Sequence, residues 1–161
     1  MTGLSGAVVG LGAMGRHHAR ILASMEGARL AATCDPQIER AREHACGALA
    51  VARPEELPEG LDLAIVAAPT TAHRAIAEPL LRRGVSCLVE KPIAHTLEDA
   101  DAMIAAAREG GAVLAIGHAE RFNPGVMRAR PSIRRPLFVE AHRLGVFPAR
   151  SLDVDVVLDL M

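Results

Sequence analysis

Three glycines spaced Gly10-x-Gly12-x-x-Gly15 follow an apolar opening, in the run Val8-Val9-Gly10-Leu11-Gly12-Ala13-Met14-Gly15. A strand over 6–9 leading into a helix over 14–25 must turn sharply between them. Gly10 permits the turn, Gly12 leaves the backbone bare on one side, and Gly15 lets the helix lie close against the sheet. The free N–H groups and partial positive charge of the helix N-terminus then favour a phosphate there. A second strand over 28–34 ends in Asp35, twenty residues after Gly15. At that distance a carboxylate reaches the hydroxyls of an adenosine ribose. The joint pattern points to dinucleotide binding by Gly10, Leu11, Gly12, Ala13, Met14, Gly15 and Asp35.

The rest of the chain alternates strands with helices. Met14, His18, Ile21, Leu22 and Met25 give the first helix its three-four spacing, and Gly27 stops it. A short helix over 38–47, a strand over 49–52 and a turn over 54–58 follow. Residues 61–68 form a near-continuous apolar run, the pattern of a strand buried on both faces. Thr70 or Thr71 is expected to cap a helix over 72–83, with Pro79 inside it. A strand over 85–89 leads into Glu90-Lys91-Pro92. Thr96 and Asp99 form a capping box for the next helix, with Leu97, Ala100, Met103, Ile104 and Ala107 as its expected buried stripe. A last strand over 113–116 follows. This alternation predicts an α/β fold, a doubly wound parallel sheet of Rossmann type. After residue 120 the pattern changes. Asn123-Pro124 opens a short helix, residues 137–144 alternate as a strand with one wet face, and 151–161 carry an apolar helical stripe. The expected division is therefore a nucleotide-binding domain over 1–120 and the incomplete start of a second domain over 121–161.

Composition narrows the function classes. A formal net charge of -1 gives no bulk attraction to nucleic acid or to an anionic membrane surface. No apolar run reaches the ~20 residues of a membrane helix, and the N-terminus has no secretory pattern, so a cytoplasmic location is expected. Cys34, Cys46 and Cys87 lack metal-type spacing, and Cys34 and Cys87 fall in strands as small core residues. Asp153, Asp155 and Asp159 lack the further ligands a metal would need, so no metal is expected.

Beyond the glycine loop, Glu90-Lys91-Pro92 stands just past a strand's carboxyl end, the edge where open parallel sheets bind ligands. A lysine there can orient a hydroxyl and take its proton while hydride leaves for a nicotinamide, or it can be an exposed loop residue. Pro69, Thr70 and His73 stand at another such edge, with a structural or cofactor-contact role for His73. His18 reads as a packed helix histidine and His118 with Glu120 as a loop pair. The arginines at 128–135 read as a solvated face.

Gly10-Leu11-Gly12-Ala13-Met14-Gly15, Cys34-Asp35-Pro36, Ala68-Pro69-Thr70-Thr71-x-His73, Glu90-Lys91-Pro92 and Gly117-His118-x-Glu120-Arg121-Phe122-Asn123-Pro124 occur in that order. Together they resemble the Gfo/Idh/MocA family of NAD(P)-dependent sugar oxidoreductases, along the whole chain. The resemblance implies a Rossmann domain followed by an α/β domain with a mostly antiparallel sheet. It implies that Lys91 is the catalytic lysine, that Pro92 follows a cis bond, and that Asp35 selects NAD over NADP by repelling a 2′-phosphate. It places Pro69, Thr70, His73, Glu90 and Lys91 at the cofactor. The run 145–161 resembles the branch that oxidises the 3-hydroxyl of UDP-N-acetylglucosamine. In the family pattern Asp159 is followed four residues later by a histidine used in acid–base chemistry, and this sequence stops at Met161. The expectation is thus the cofactor half of a dehydrogenase of sugars or nucleotide-sugars, with Lys91 and Asp159 catalytic, inactive alone and homo-oligomeric when complete. The rival expectation is a stand-alone dinucleotide-binding sensor or partner subunit without chemistry.

Overall fold

The computed structural model describes residues 3–140 and 142. Six parallel strands form one sheet in the order β3-β2-β1-β4-β5-β6. They are β1 (Leu4–Val9), β2 (Ala28–Cys34), β3 (Leu49–Val51), β4 (Leu63–Val66), β5 (Ser86–Val89) and β6 (Leu114–Ile116). The helices between them are α1 (Gly15–Ser24), α2 (Ile38–Glu43), α3 (His73–Arg82) and α4 (Leu97–Gly110), and α5 (Pro124–Ala129) follows the sheet. This is the doubly wound α/β architecture that the alternation predicts.

Side chains leave a strand alternately to its two faces, so β1 divides between two cores. Ala7 and Val9 join Ala64, Val66, Cys87 and Val89 beneath Ala77, Leu80 and Leu81 of α3 and Met103 and Ala106 of α4. Val8 and Ile65 point the other way and pack on Ala19 and Leu22 of α1. Both faces are covered, which is why β4 reads as an unbroken apolar run. Helices α3 and α4 sit tightly: a Cβ on Gly110 would lie 1.9 Å from the Leu81 carbonyl oxygen.

Several expected boundaries shift for physical reasons. The helix expected over 38–47 ends at Glu43, because Cys46 and Gly47 take left-handed backbone (φ 50° and 87°) to turn the chain into β3. Neither Thr70 nor Thr71 caps α3 with its side chain; residues Thr70–Ala72 wind as a 3-10 turn that leads straight into the helix. Pro79 is accommodated in a continuous α3. Thr96 does cap α4, its Oγ1 accepting the Asp99 N–H at 3.1 Å. The buried stripe of α4 is Ala100, Met103, Ala106 and Ala107, not the expected set: Ile104 is partly exposed and Leu97 is 86% exposed. A helical side chain leans over the turn N-terminal to it, and no described residue covers that end of α4.

Asn123 caps α5, its Oδ1 accepting the Gly125 N–H at 2.8 Å. Glu120 accepts from the Asn123 amide at 2.6 Å, which replaces the expected pairing with His118. Residues 137–140 form no strand, and Leu137, Phe138 and Val139 are exposed. The remainder of that expected strand, apart from His142, and the expected helix over 151–161 with Asp159, lie outside the described residues. Among the described residues no helix is long and apolar enough to cross a membrane.

All three thiols are free. Burial pushes the Cys34 and Cys87 thiols up to about 12, with the Asp35 charge adding to the effect at Cys34. Cys46 is exposed. A thiol reagent such as DTNB is therefore expected to modify Cys46 promptly in the native chain, and Cys34 and Cys87 only after denaturation.

Candidate functional site

The site follows from how the strands end. The first residue past each of five strands extends the ladder by one rung. Gly10 N–H donates to the Cys34 carbonyl at 2.8 Å, Asp35 to Val51 at 3.2 Å, Ala67 to Val9 at 2.8 Å, Glu90 to Val66 at 2.9 Å and Gly117 to Val89 at 2.8 Å. Residues far apart in sequence are thus brought in register to one edge of the sheet. The strand order reverses between β1 and β4, and a cleft opens at such a switch point. A cavity of about 710 Å³ occupies it, lined among others by Gly10, Gly12, Ala13, Met14, Asp35, Pro69, Thr70, Glu90 and Lys91. That volume lies in the range of small-molecule and cofactor pockets. From Asp35 after β2 to Glu90 after β5 is three strand spacings, about 14 Å, a length that suits an elongated ligand better than a compact one.

The three glycines meet different surroundings. A Cβ at Gly10 would lie 2.7 Å from the Ala67 backbone, and the residue has φ +87°. A Cβ at Gly15 would lie 1.7 Å from the Gly10 carbonyl oxygen, since α1 starts directly beneath the turn. Gly12 has no neighbour within 4 Å of an added Cβ and lines the cavity. Two glycines are therefore demanded by the protein itself, and the third by whatever approaches the loop.

Asp35 is buried, and its two carboxylate oxygens are fixed by backbone: Oδ2 accepts from Leu11 N–H at 2.8 Å and Oδ1 from Gln37 N–H at 2.9 Å. A carboxylate has about four acceptor positions, so capacity remains for ligand hydroxyls. Arg40 approaches Oδ2 at 3.8 Å from the cavity rim. At the other end, Glu90 Oε1 lies 2.7 Å from His18 Nε2. Hydrogen bonding from His18 is the main cause that holds the Glu90 carboxyl below its usual range, and the Lys91 N–H adds to it. A depressed folded-state pKa gives stability that is present above the unfolded value of 4.5 and is lost as pH falls through the folded value. Glu90→Gln is expected to flatten part of the acid-side fall in urea-unfolding stability below about pH 4.5.

Leu11, Gly15 and His73 do not line the cavity. Leu11 and Gly15 are buried supports of the turn. His73 is 1% exposed and lies under the cavity wall, with Nε2 2.9 Å from the Ala68 carbonyl and Nδ1 3.1 and 3.2 Å from those of Pro92 and Ile93. It ties the loop after β4 to the loop after β5. The Lys91–Pro92 peptide is cis. Asp159 is outside the described residues. Among the described residues no three His, Cys, Asp or Glu side chains converge on a metal position.

Arg40, Glu55 and Ile76 also line the cavity, and sequence reading does not single them out. Nor does it pair His18 with Glu90, 72 residues away. One signal was available for Lys91: it is the only lysine among the chain's 18 lysines and arginines. A guanidinium holds its proton at any accessible pH, whereas an ammonium can exchange one.

The model of the oxidoreductase family with an NAD-binding Rossmann fold, Gfo/Idh/MocA, matches residues 4–118. The UDP-N-acetylglucosamine 3-dehydrogenase of Acidithiobacillus ferrooxidans is 41% identical over 157 residues, which cover 96% of this chain and 50% of that protein. A crystal form of that enzyme superposes with a TM-score of 0.89 at 39% identity, covering all of this chain and 54% of the other. GenD2 from gentamicin A biosynthesis, solved in complex with NAD, gives a TM-score of 0.76 at 32% identity over 82% of this chain and 39% of its own. The chain spans about half the length of the relatives it matches. The bare face of Gly12, the buried Asp35 carboxylate and the elongated cavity between them and Glu90 suit the dinucleotide that the family binds. With the family model covering its whole sheet, this chain belongs to the NAD-binding Gfo/Idh/MocA oxidoreductases.

Proposed function

We propose that this chain is the NAD-binding half of a dehydrogenase that acts on a nucleotide-sugar, with the 3-hydroxyl of UDP-N-acetylglucosamine as the candidate reacting group. The 41% identity to an enzyme of that name supports the substrate class. The observation that carries the chemistry is the placement of Lys91 on the wall of the same cavity as Gly12 and Asp35. Bound nicotinamide would supply the hydride acceptor. Gly10, Gly12, Ala13 and Met14 would receive the pyrophosphate against the start of α1, with Leu11 and Gly15 holding that turn in shape. Asp35 would take the adenosine ribose hydroxyls, and its negative charge would disfavour a 2′-phosphate. Pro69, Thr70 and Glu90 would flank the nicotinamide half, while His73 fixes the two loops that carry them. Lys91 Nζ would hold the substrate hydroxyl and, as the neutral amine, accept its proton to become the ammonium, with Asp159 as a second proton-handling group. Residues from 121 onward would open the domain that covers the sugar and builds a homo-oligomer.

Titration with NADH and, separately, NADPH, followed by nicotinamide fluorescence, tests the reading. Saturable NADH binding at least about tenfold tighter than NADPH, a difference of about 1.4 kcal/mol, is expected. Equal affinity for both would remove the role given to Asp35. Absence of binding by a folded chain would remove the function.

A further inference from the structure

Glu90 is the hinge of the site, and three neighbours fix it. Its Oε1 accepts from His18 Nε2 at 2.7 Å, and its Oε2 accepts from the Lys91 N–H at 3.3 Å. Gly117, one rung along at the end of β6, presses on the third side: a Cβ there would lie 2.9 Å from Oε2. The His18 and Glu90 side chains are only 20% and 13% exposed, so the pair holds its geometry better than a surface pair would. His18 stands on α1, three residues after Gly15, on the helix that opens at the glycine loop. On the far side of Lys91, His73 of α3 grips the carbonyls of Pro92 and Ile93. The backbone around the single lysine is thus gripped by two histidines from two different helices. His73 hydrogen-bonds backbone carbonyls, while His18 reaches the lysine through a side-chain carboxylate that lines the cavity.

We propose that His18 is a positioning residue for Lys91, acting through the Glu90 carboxylate, so that the glycine-loop helix and the lysine-bearing strand edge are held in one register. The proposal rests on the reading of Lys91 as the proton-accepting lysine. It assigns His18 no contact with the substrate. Its work is to stop the Glu90 side chain from swinging out and taking the start of the 91–93 loop with it.

Because the chain has one lysine, labelling the full chain with 13C-lysine gives a single ε-methylene resonance that reports on Lys91 alone. His18→Leu is expected to move that resonance toward the position of an unfolded chain. The same change releases Glu90 from α1, and Glu90 and the glycine loop both line the cavity. It should therefore weaken NADH binding roughly tenfold, about 1.4 kcal/mol, through those groups rather than through Lys91 itself. His18→Gln, which restores an N–H donor toward Glu90, should return both readouts to near the parent values. Gly117→Ala places a methyl group against the carboxylate without touching His18 or Lys91, and should reproduce His18→Leu. Lys91 resonances that superimpose in the parent and Gly117→Ala chains, with circular dichroism unchanged, would overturn the proposal even if His18→Leu did not fold. Failure of His18→Gln to restore the resonance would overturn it as well. Lack of NADH binding by the parent chain, with the Lys91 resonance still following His18, would count against the cofactor reading and for the positioning role.

Discussion

Gly12→Ala and Gly15→Ala are expected to fail in opposite ways, although the two residues are three apart in one loop. At Gly15 the new methyl carbon would fall 1.7 Å from the Gly10 carbonyl oxygen, and both sides of that contact are backbone. No rotamer relieves it, so α1 must lift off the turn, at a cost of about 3 kcal/mol or more. Against a total stability of roughly 5–15 kcal/mol, thermal and urea unfolding should register a large loss before any ligand is added. At Gly12 the methyl group enters open space, and the unliganded chain should unfold within about 0.5 kcal/mol of the parent. NADH binding should nevertheless weaken on the order of 100-fold, about 2.7 kcal/mol, because the methyl occupies the face through which a pyrophosphate reaches the backbone. Unaltered NADH affinity in Gly12→Ala would mean that the phosphates approach elsewhere.

Lys91→Ala should show its effect in turnover rather than in cofactor affinity. The measurement uses a chimera in which this chain is joined to the C-terminal half of the Acidithiobacillus relative, with UDP-N-acetylglucosamine and NAD as substrates. Proton transfer by a positioned side chain contributes ~10²–10⁴-fold, so kcat should fall within that range while NADH affinity changes by less than about threefold. Lys91→Arg is the sharper variant. It keeps the charge and much of the reach but cannot release a proton to or accept one from a hydroxyl, and kcat should fall nearly as far as with alanine. An arginine variant with substantial turnover would turn the role of Lys91 from proton transfer into charge alone. Loss of kcat and cofactor affinity to the same extent would make the residue a binding group.

The strands of the sheet were largely readable because each cue is local. β2 spans the residues expected for it, and β4 and β5 fall inside the runs expected for them. A strand buried on both faces advertises itself by unbroken hydrophobicity, and a glycine turn by its spacing. The errors lie where a neighbour decides. Leu97 and Ile104 have the right period for the inner face of α4, yet both stay in contact with water. Close approach to α3 at Gly110 sets how α4 is rolled, and small residues carry the contact. Periodicity reports which side chains share a helix face. It does not report how far round that face the neighbouring helix extends.

The site divides in the same way. The glycine loop, Asp35 and the Glu90-Lys91-Pro92 triplet were legible in the chain, because each stands at the end of a strand whose length the sequence shows. What those residues do to one another was decided by the sheet. Parallel pairing in a reversed order sets Gly10, Asp35, Glu90 and Gly117 along one edge, although more than a hundred residues separate the first from the last. Only then does His18 meet Glu90, His73 bridge the loops after β4 and β5, and Arg40 approach Asp35. Local spacing and apolar pattern act over a few residues and are written in the chain. Hydrogen bonds between side chains 72 residues apart depend on strand register and helix roll, which long-range packing alone determines.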